Sequence, residues 1–215
     1  MEFIKFLFDF LLHIDKHLAD IISNYGTTTY VILFAIIFIE TGLVVWPFLP
    51  GDSLLFVVGS FAAVGTLNIW ILIPLLFIAA VLGDTVNYYI GKSMGLKILQ
   101  WKVNNRPLVK QEYIDQTHAF YEKHGSKTII MARFVPIVRT FAPFVAGIGE
   151  MNYAKFISYN IIGGAIWIVA LSLLGYFFGQ IPVIKNNFEK VILGIIFVSV
   201  LPIVWQMLKP KFATK

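Results

Sequence analysis

The sequence predicts an all-α polytopic membrane protein: an inverted repeat of two opposed re-entrant helical hairpins, about four full transmembrane helices and an N-terminal amphipathic helix. Three observations carry this. The 215 residues are 58% hydrophobic and only 13% charged, with a mean hydropathy of +0.79. Soluble domains carry about 25% charged residues, and a water-soluble core of this size does not bury so much apolar side chain. Two apolar segments are interrupted by proline. The few charges that lie between apolar stretches are sorted by sign along the chain.

The N-terminal residues 1–24 lack the basic leader and small-residue exit of a secretory signal. Lys5, Asp9, His13, Lys16 and Asp20 fall on one helical stripe, with Phe3, Phe6, Leu7, Phe10 and Leu11 mostly off it. This fits an amphipathic helix on the membrane surface or a helix packed on the bundle. Residues 27–46, 67–90, 153–178 and 191–208 are apolar over lengths that cross a bilayer, which takes about 20 residues. Two further apolar segments, 47–64 and 128–149, contain Pro50 and Pro136. Proline removes a helical hydrogen bond, and broken backbone at membrane depth survives only inside protein or beside water. Both segments therefore read as re-entrant hairpins.

Basic residues set the orientation. Segment 92–127 holds Lys92, Lys97, Lys102, Arg106, Lys110, Lys123 and Lys127 against Glu112, Asp115 and Glu122, and the tail adds Lys209, Lys211 and Lys215. Both face the cytoplasm on this reading, as do both termini. The first hairpin then opens outside and the second inside. The repeat units are 47–91 and 128–179, hairpin plus span, with 92–127 as the cytoplasmic loop between them. "NYYIG" ending at Gly91 and "GYFFG" ending at Gly179 close the two units. Opposed hairpins meeting near the midplane are a transporter architecture, in which broken helix ends turn free backbone dipoles to the substrate.

Between residues 21 and 91 the acids are Glu40, Asp52 and Asp84, with no Lys or Arg; the second hairpin carries Arg133 and Arg139 and no acid. Each such charge at mid-bilayer costs about 2.5–3.5 kcal/mol on insertion scales. Pairing Glu40 and Asp52 with Arg133 and Arg139 recovers part of that. Asp52 and Ser53 follow Pro50-Gly51 and can also cap the helix that starts there. Glu40 follows ten apolar residues and has no such role. Buried ion pairs can serve only to specify a fold, but four charges beside two helix breaks favour function.

An arginine fork matches phosphate or carboxylate. On a continuous helix, residues 133 and 139 stand about 240° apart, so the break at Pro136 is what brings them together. Burial disfavours an ionised carboxylate and an adjacent guanidinium favours it. Glu40 thus reads as a proton acceptor, with Asp52 beside it, whose state depends on whether the arginines hold an anion.

The blocks "ETGLVVWPFLPGDSLLFVVG", "GDTVNYYIG", "FYEKHG" and "ARFVPIVRTFAPFVAGIG" resemble the DedA family of bacterial inner-membrane proteins over nearly the whole chain. The resemblance implies recycling of undecaprenyl phosphate across the cytoplasmic membrane and proton-dependent transport. It also implies that Glu40, Asp52, Arg133 and Arg139 are the functional acids and arginines. The partners are then a lipid phosphate, protons and membrane lipids, with no nucleic acid, metal or cofactor.

Other features are weaker. Asp84, Asn87 and Tyr88 form a polar group near a span end, as readily structural as functional. His118 and His124 lie in the polar segment without a metal-ligand pattern. Gly163, Gly164 and Gly175 suit close helix packing; Trp70, Trp101 and Trp205 suit interfacial anchoring. With no cysteine, thiol chemistry is excluded, and no nucleophile–base set or phosphate loop points to an enzyme. Three functions remain: a lipid-phosphate translocase, a proton-coupled transporter of a small ion or solute, and a membrane scaffold whose charges only fix the fold.

Overall fold

The computed structural model describes residues 20, 22, 24–43, 51–103, 106–107, 111–179, 181–183, 187, 190 and 194. Most of the predicted N-terminal helix, Pro47 and Pro50, and nearly all of the predicted last span 191–208 lie outside the described residues. The elements are α1 (Thr28–Gly42), α2 (Gly51–Ala63), α3 (Ile69–Gln100), α4 (Gln111–His124), α5 (Thr128–Ala132), α6 (Pro136–Ile148) and α7 (Tyr153–Phe178). Two-residue strands, β1 (Lys102–Val103) and β2 (Arg106–Pro107), pair antiparallel between α3 and α4.

Helix α1 stops at Gly42, and Leu43 is extended. The Thr41 hydroxyl donates back to the Ile37 carbonyl at 2.9 Å. The Thr41 carbonyl, which a continuing helix would give to its own next turn, accepts instead from Asn87 Nδ2 at 3.1 Å. The chain then returns: the Gly51 N–H donates to Glu40 Oε1 at 3.2 Å, and at the far end the Asn68 N–H donates to the Tyr30 hydroxyl at 2.7 Å. Helices α1 and α2 are thus the two arms of one hairpin. Each is about 20 Å long, short of the roughly 30 Å hydrocarbon thickness. This corrects two expectations: 27–46 is not one continuous span, and the first hairpin is not contained in 47–64 but takes α1 as its first arm.

Helices α3 and α7 are the two described helices long and apolar enough to cross a membrane. Each is started by an asparagine whose side chain accepts first-turn N–H groups, Asn68 from Trp70 and Asn152 from Ala154 and Lys155. Gly65, at φ +85°, makes the turn between α2 and α3 that a side chain would strain. Helix α3 continues past the predicted span end at Ile90 through good helix formers such as Met94, Leu96 and Leu99. The predicted 92–127 loop therefore begins inside a helix. It also contains α4, whose Ile114 packs with Phe141 and Phe144 of α6.

The second hairpin breaks at Arg133–Val135. Val135 is extended and Pro136 takes the first position of α6, where a missing N–H costs nothing. The halves then contact each other reciprocally: α2 lies along α7, and α6 lies along α3. A Cβ on Gly175 would enter the Phe56 carbonyl, and one on Gly179 the Ser60 side chain. In mirror fashion a Cβ on Gly91 would enter the Phe144 carbonyl, and one on Gly95 the Ile148 side chain. The counterpart of Gly91 is thus Gly175, one helical turn earlier than the Gly179 that the "NYYIG"/"GYFFG" match predicts. Backbone contact, and not the tyrosine-containing motif, sets the register.

Among the described residues, many large apolar side chains are exposed while a few charged ones are buried in the interior. Trp70, Ile71, Leu96, Ile162 and Phe177 are exposed, while Glu40, Asp84 and Arg133 are each no more than 5% exposed. Water would reverse that arrangement; hydrocarbon favours it. Leu33, Ile37, Leu54, Leu55, Leu72, Leu76, Trp167 and Ile168 fill the core between the first hairpin, α3 and α7.

Candidate functional site

The buried charges meet around one aromatic ring. Trp167, in the middle of α7, lies with its ring centroid 5.0 Å from the Arg139 guanidinium carbon and 5.6 Å from that of Arg133. Its indole N–H donates to Asp52 Oδ1 at 2.8 Å. These distances suit cation–π attraction, which strengthens when the cation is stripped of water.

Arg139 stands in the first turns of α6 and binds both acids of the first hairpin. Its Nη2 donates to Glu40 Oε1 at 2.6 Å and its Nη1 to Asp52 Oδ1 at 2.8 Å. Glu40 comes from the last turn of α1 and Asp52 from the first turn of α2. A Cβ on Gly51 would fall within the Glu40 carboxylate, so glycine there is what lets this carboxylate meet the start of α2.

Arg133 caps the C-terminal end of the short α5. Its partner is Asp84 of α3, and its Nη2 also donates to Asn160 Oδ1 of α7 at 2.5 Å. Asn160 in turn donates to the Val81 carbonyl at 3.2 Å, fixing the side chain between the two long helices. Gly163 lets the α5–α6 break approach α7, since a Cβ there would lie 3.1 Å from Ile130 Cα and 3.3 Å from Arg133 Nε.

The pairing expected from the sequence is therefore corrected. Glu40 and Asp52 do not divide between the two arginines. Both take Arg139, and the acid of Arg133 is Asp84. Because the helix breaks between them, the two arginines approach the same ring, but each is held by a different element. Asn87 sits beside this junction and donates to the carbonyls of Thr41 and Thr140 at 3.1 and 2.9 Å, joining the ends of both hairpins. Ser53 is buried next to Asp52 with its hydroxyl unpartnered among the described residues. Tyr88 belongs elsewhere: its hydroxyl donates to the Met151 carbonyl and its ring stacks on Phe156 at 4.6 Å. His118 is exposed, and His124 lies against Phe120.

Sequence reasoning missed Asn160 and Trp167. Both carried a signal. Asn160 is a polar side chain inside an apolar run, and Trp167 lies at mid-span, away from the ends where interfacial tryptophans belong.

The fold and site define a class: a membrane protein with charged side chains buried between two helical hairpins. Residues 49–177 match the family model described as the VTT domain. The chain is 54% identical to Protein DedA of Escherichia coli (strain K12), covering 99% of this chain and 97% of the relative. It is 48% identical to an uncharacterized membrane protein of Mycobacterium leprae (strain TN), covering 78% and 74%. It is 34% identical to Inner membrane protein YqjA of E. coli (strain K12), covering 83% and 80%. No solved structure matches the chain. The chain belongs to the DedA family of VTT-domain membrane proteins.

Proposed function

We propose that this protein is a transporter, not an enzyme, and that it moves a lipid phosphate across the bacterial cytoplasmic membrane in a step coupled to protons. Undecaprenyl phosphate is the substrate that the family resemblance favours. The observation that carries this reading is the Glu40–Arg139–Asp52 contact, which joins the first hairpin to the second inside an apolar shell. Hydrophobic replacements would hold a static bundle together at less cost.

On this reading α1–α2 and α5–α6 are re-entrant hairpins entering from opposite faces, and the reciprocal packing of α2 on α7 and α6 on α3 supports the inverted repeat. The phosphate head enters the charged junction while its chain stays in hydrocarbon. The arriving anion adds negative charge beside Glu40 and Asp52, which disfavours their ionised forms. One of these carboxylates takes up a proton, which keeps the buried charge balanced. Membrane placement with both termini inside follows the basic residues of 92–127, and the similarity to Inner membrane protein YqjA fits an inner-membrane site. The test is reconstitution of the purified protein in liposomes, following undecaprenyl phosphate movement with and without a pH gradient. Movement that needs the protein and responds to the gradient supports the reading. Movement no faster than in empty liposomes overturns it.

A further inference from the structure

The two arginines differ in what they have left to give. Arg139 places both terminal nitrogens on carboxylates. With Glu40 and Asp52 ionised, that group carries one net negative charge, and an approaching anion is repelled. Arg133 is 3% exposed, and both of its described bonds, to Asp84 and Asn160, leave from Nη2. Its Nε and Nη1 are buried without a partner among the described residues. Its ion pair with Asp84 is neutral. Buried donors are nearly always met, and a guanidinium is the side chain best shaped to meet an oxyanion through several N–H groups at once.

We propose that Arg133 is the arginine that takes the oxyanion headgroup, through Nε and Nη1, and that Asp84 and Asn160 are positioning residues that hold Nη2 so those donors stay turned to it. Arg139 then has a different task, tying the first hairpin to the second. Asp84 and Asn160 lie on α3 and α7, the two long helices, so the headgroup site is anchored on rigid elements while Arg139 grips the hairpin ends. A Cβ on Gly163 would lie 3.3 Å from Arg133 Nε, so glycine there leaves that donor uncrowded by a side chain. This rests on the lipid-phosphate reading for the identity of the headgroup but not for the division of labour.

The test uses the purified full chain in detergent and three probes: farnesyl monophosphate, farnesol and inorganic phosphate. The readout is the ratio of farnesyl monophosphate to farnesol affinity, which a general loss of packing would not change selectively. The wild type is expected to prefer the phosphate by about tenfold or more, as charge-assisted hydrogen bonds would give. Arg133→Lys keeps the charge and can still pair with Asp84 but lacks the fork. It is expected to abolish that preference while farnesol affinity stays within about twofold, since the tail contacts are apolar. Asn160→Leu, which frees Nη2 from one of its two anchors, is expected to reduce the preference, and Arg139→Lys to reduce it less than Arg133→Lys does. A full phosphate preference in both Arg133→Lys and Asn160→Leu overturns the proposal. Absence of any preference in the wild type overturns the lipid-phosphate reading itself. Inorganic phosphate bound as tightly as farnesyl monophosphate, with the same loss in Arg133→Lys, upholds the role of Arg133 and identifies the free anion as ligand.

Discussion

Arg139 and Glu40 are 99 residues apart in sequence and meet at 2.6 Å, with side chains only 10% and 4% exposed. One comes from the last turn of α1 and the other from the first turns of α6, so the contact closes the first hairpin onto the second. Breaking a buried pair from one side leaves an uncompensated charge, at about 3–5 kcal/mol. Arg139→Gln is therefore expected to lower the thermal unfolding temperature in detergent markedly. The double variant Glu40→Gln/Arg139→Gln is expected to recover part of that loss, since Asp52 still lacks its cation. A double-mutant cycle on melting temperatures checks both statements.

The reciprocal crossings predict matched sensitivities. A Cβ on Gly91 meets the backbone of Phe144, and a Cβ on Gly175 meets the backbone of Phe56. Neither neighbour can rotate away as a flexible side-chain end would. Gly91→Ala and Gly175→Ala are each expected to destabilise by about 1–3 kcal/mol, the usual cost of overpacking. Thermal melts of the two variants side by side measure this, and a large loss at one with none at the other would contradict the reciprocity.

Trp167 does two things that substitution can separate. Trp167→Phe keeps a ring beside Arg133 and Arg139 but removes the N–H bonded to Asp52. A bond to a charged acceptor contributes about 1.5–3 kcal/mol, and the loss is expected in that range. Trp167→Leu also removes the ring face, adding about 0.5–2 kcal/mol. Unfolding free energies of the two variants, compared with wild type, test the order.

Much of this was legible in the sequence, and the limits have physical causes. Composition alone gives the membrane class, and the sign-sorted charges single out Glu40, Asp52, Arg133 and Arg139 as one buried group. Which acid meets which arginine was not legible, because pairing depends on where α1 ends and on how far the break at 133–135 turns the chain. A run as apolar as 27–46 carries no internal signal that Thr41 will give its carbonyl to Asn87. The partner of that bond lies 46 residues away. The repeat register failed by one turn for a related reason: four residues along a helix present the same face, so a short motif match cannot distinguish adjacent turns.

The proposed proton coupling gives a pH prediction with a definite sign. Protonating Glu40 weakens its hold on Arg139, so transport by the wild type is expected to quicken as the pH on the loading side falls. Glu40→Gln carries no titrating group there and keeps a weaker contact. Its transport is expected to lose this pH dependence, with folding intact by circular dichroism. Proteoliposome rates across a pH series check it. An unchanged pH profile in that variant would move the proton site away from Glu40.

The measurement that bears most directly on whether these buried charges are working parts is undecaprenyl phosphate movement in proteoliposomes carrying Glu40→Gln, Arg139→Gln and the double variant. The expected result is loss of gradient-driven transport in all three, although the double variant regains part of its thermal stability. Transport restored together with stability in the double variant would make the pair a brace for the fold and contradict the account.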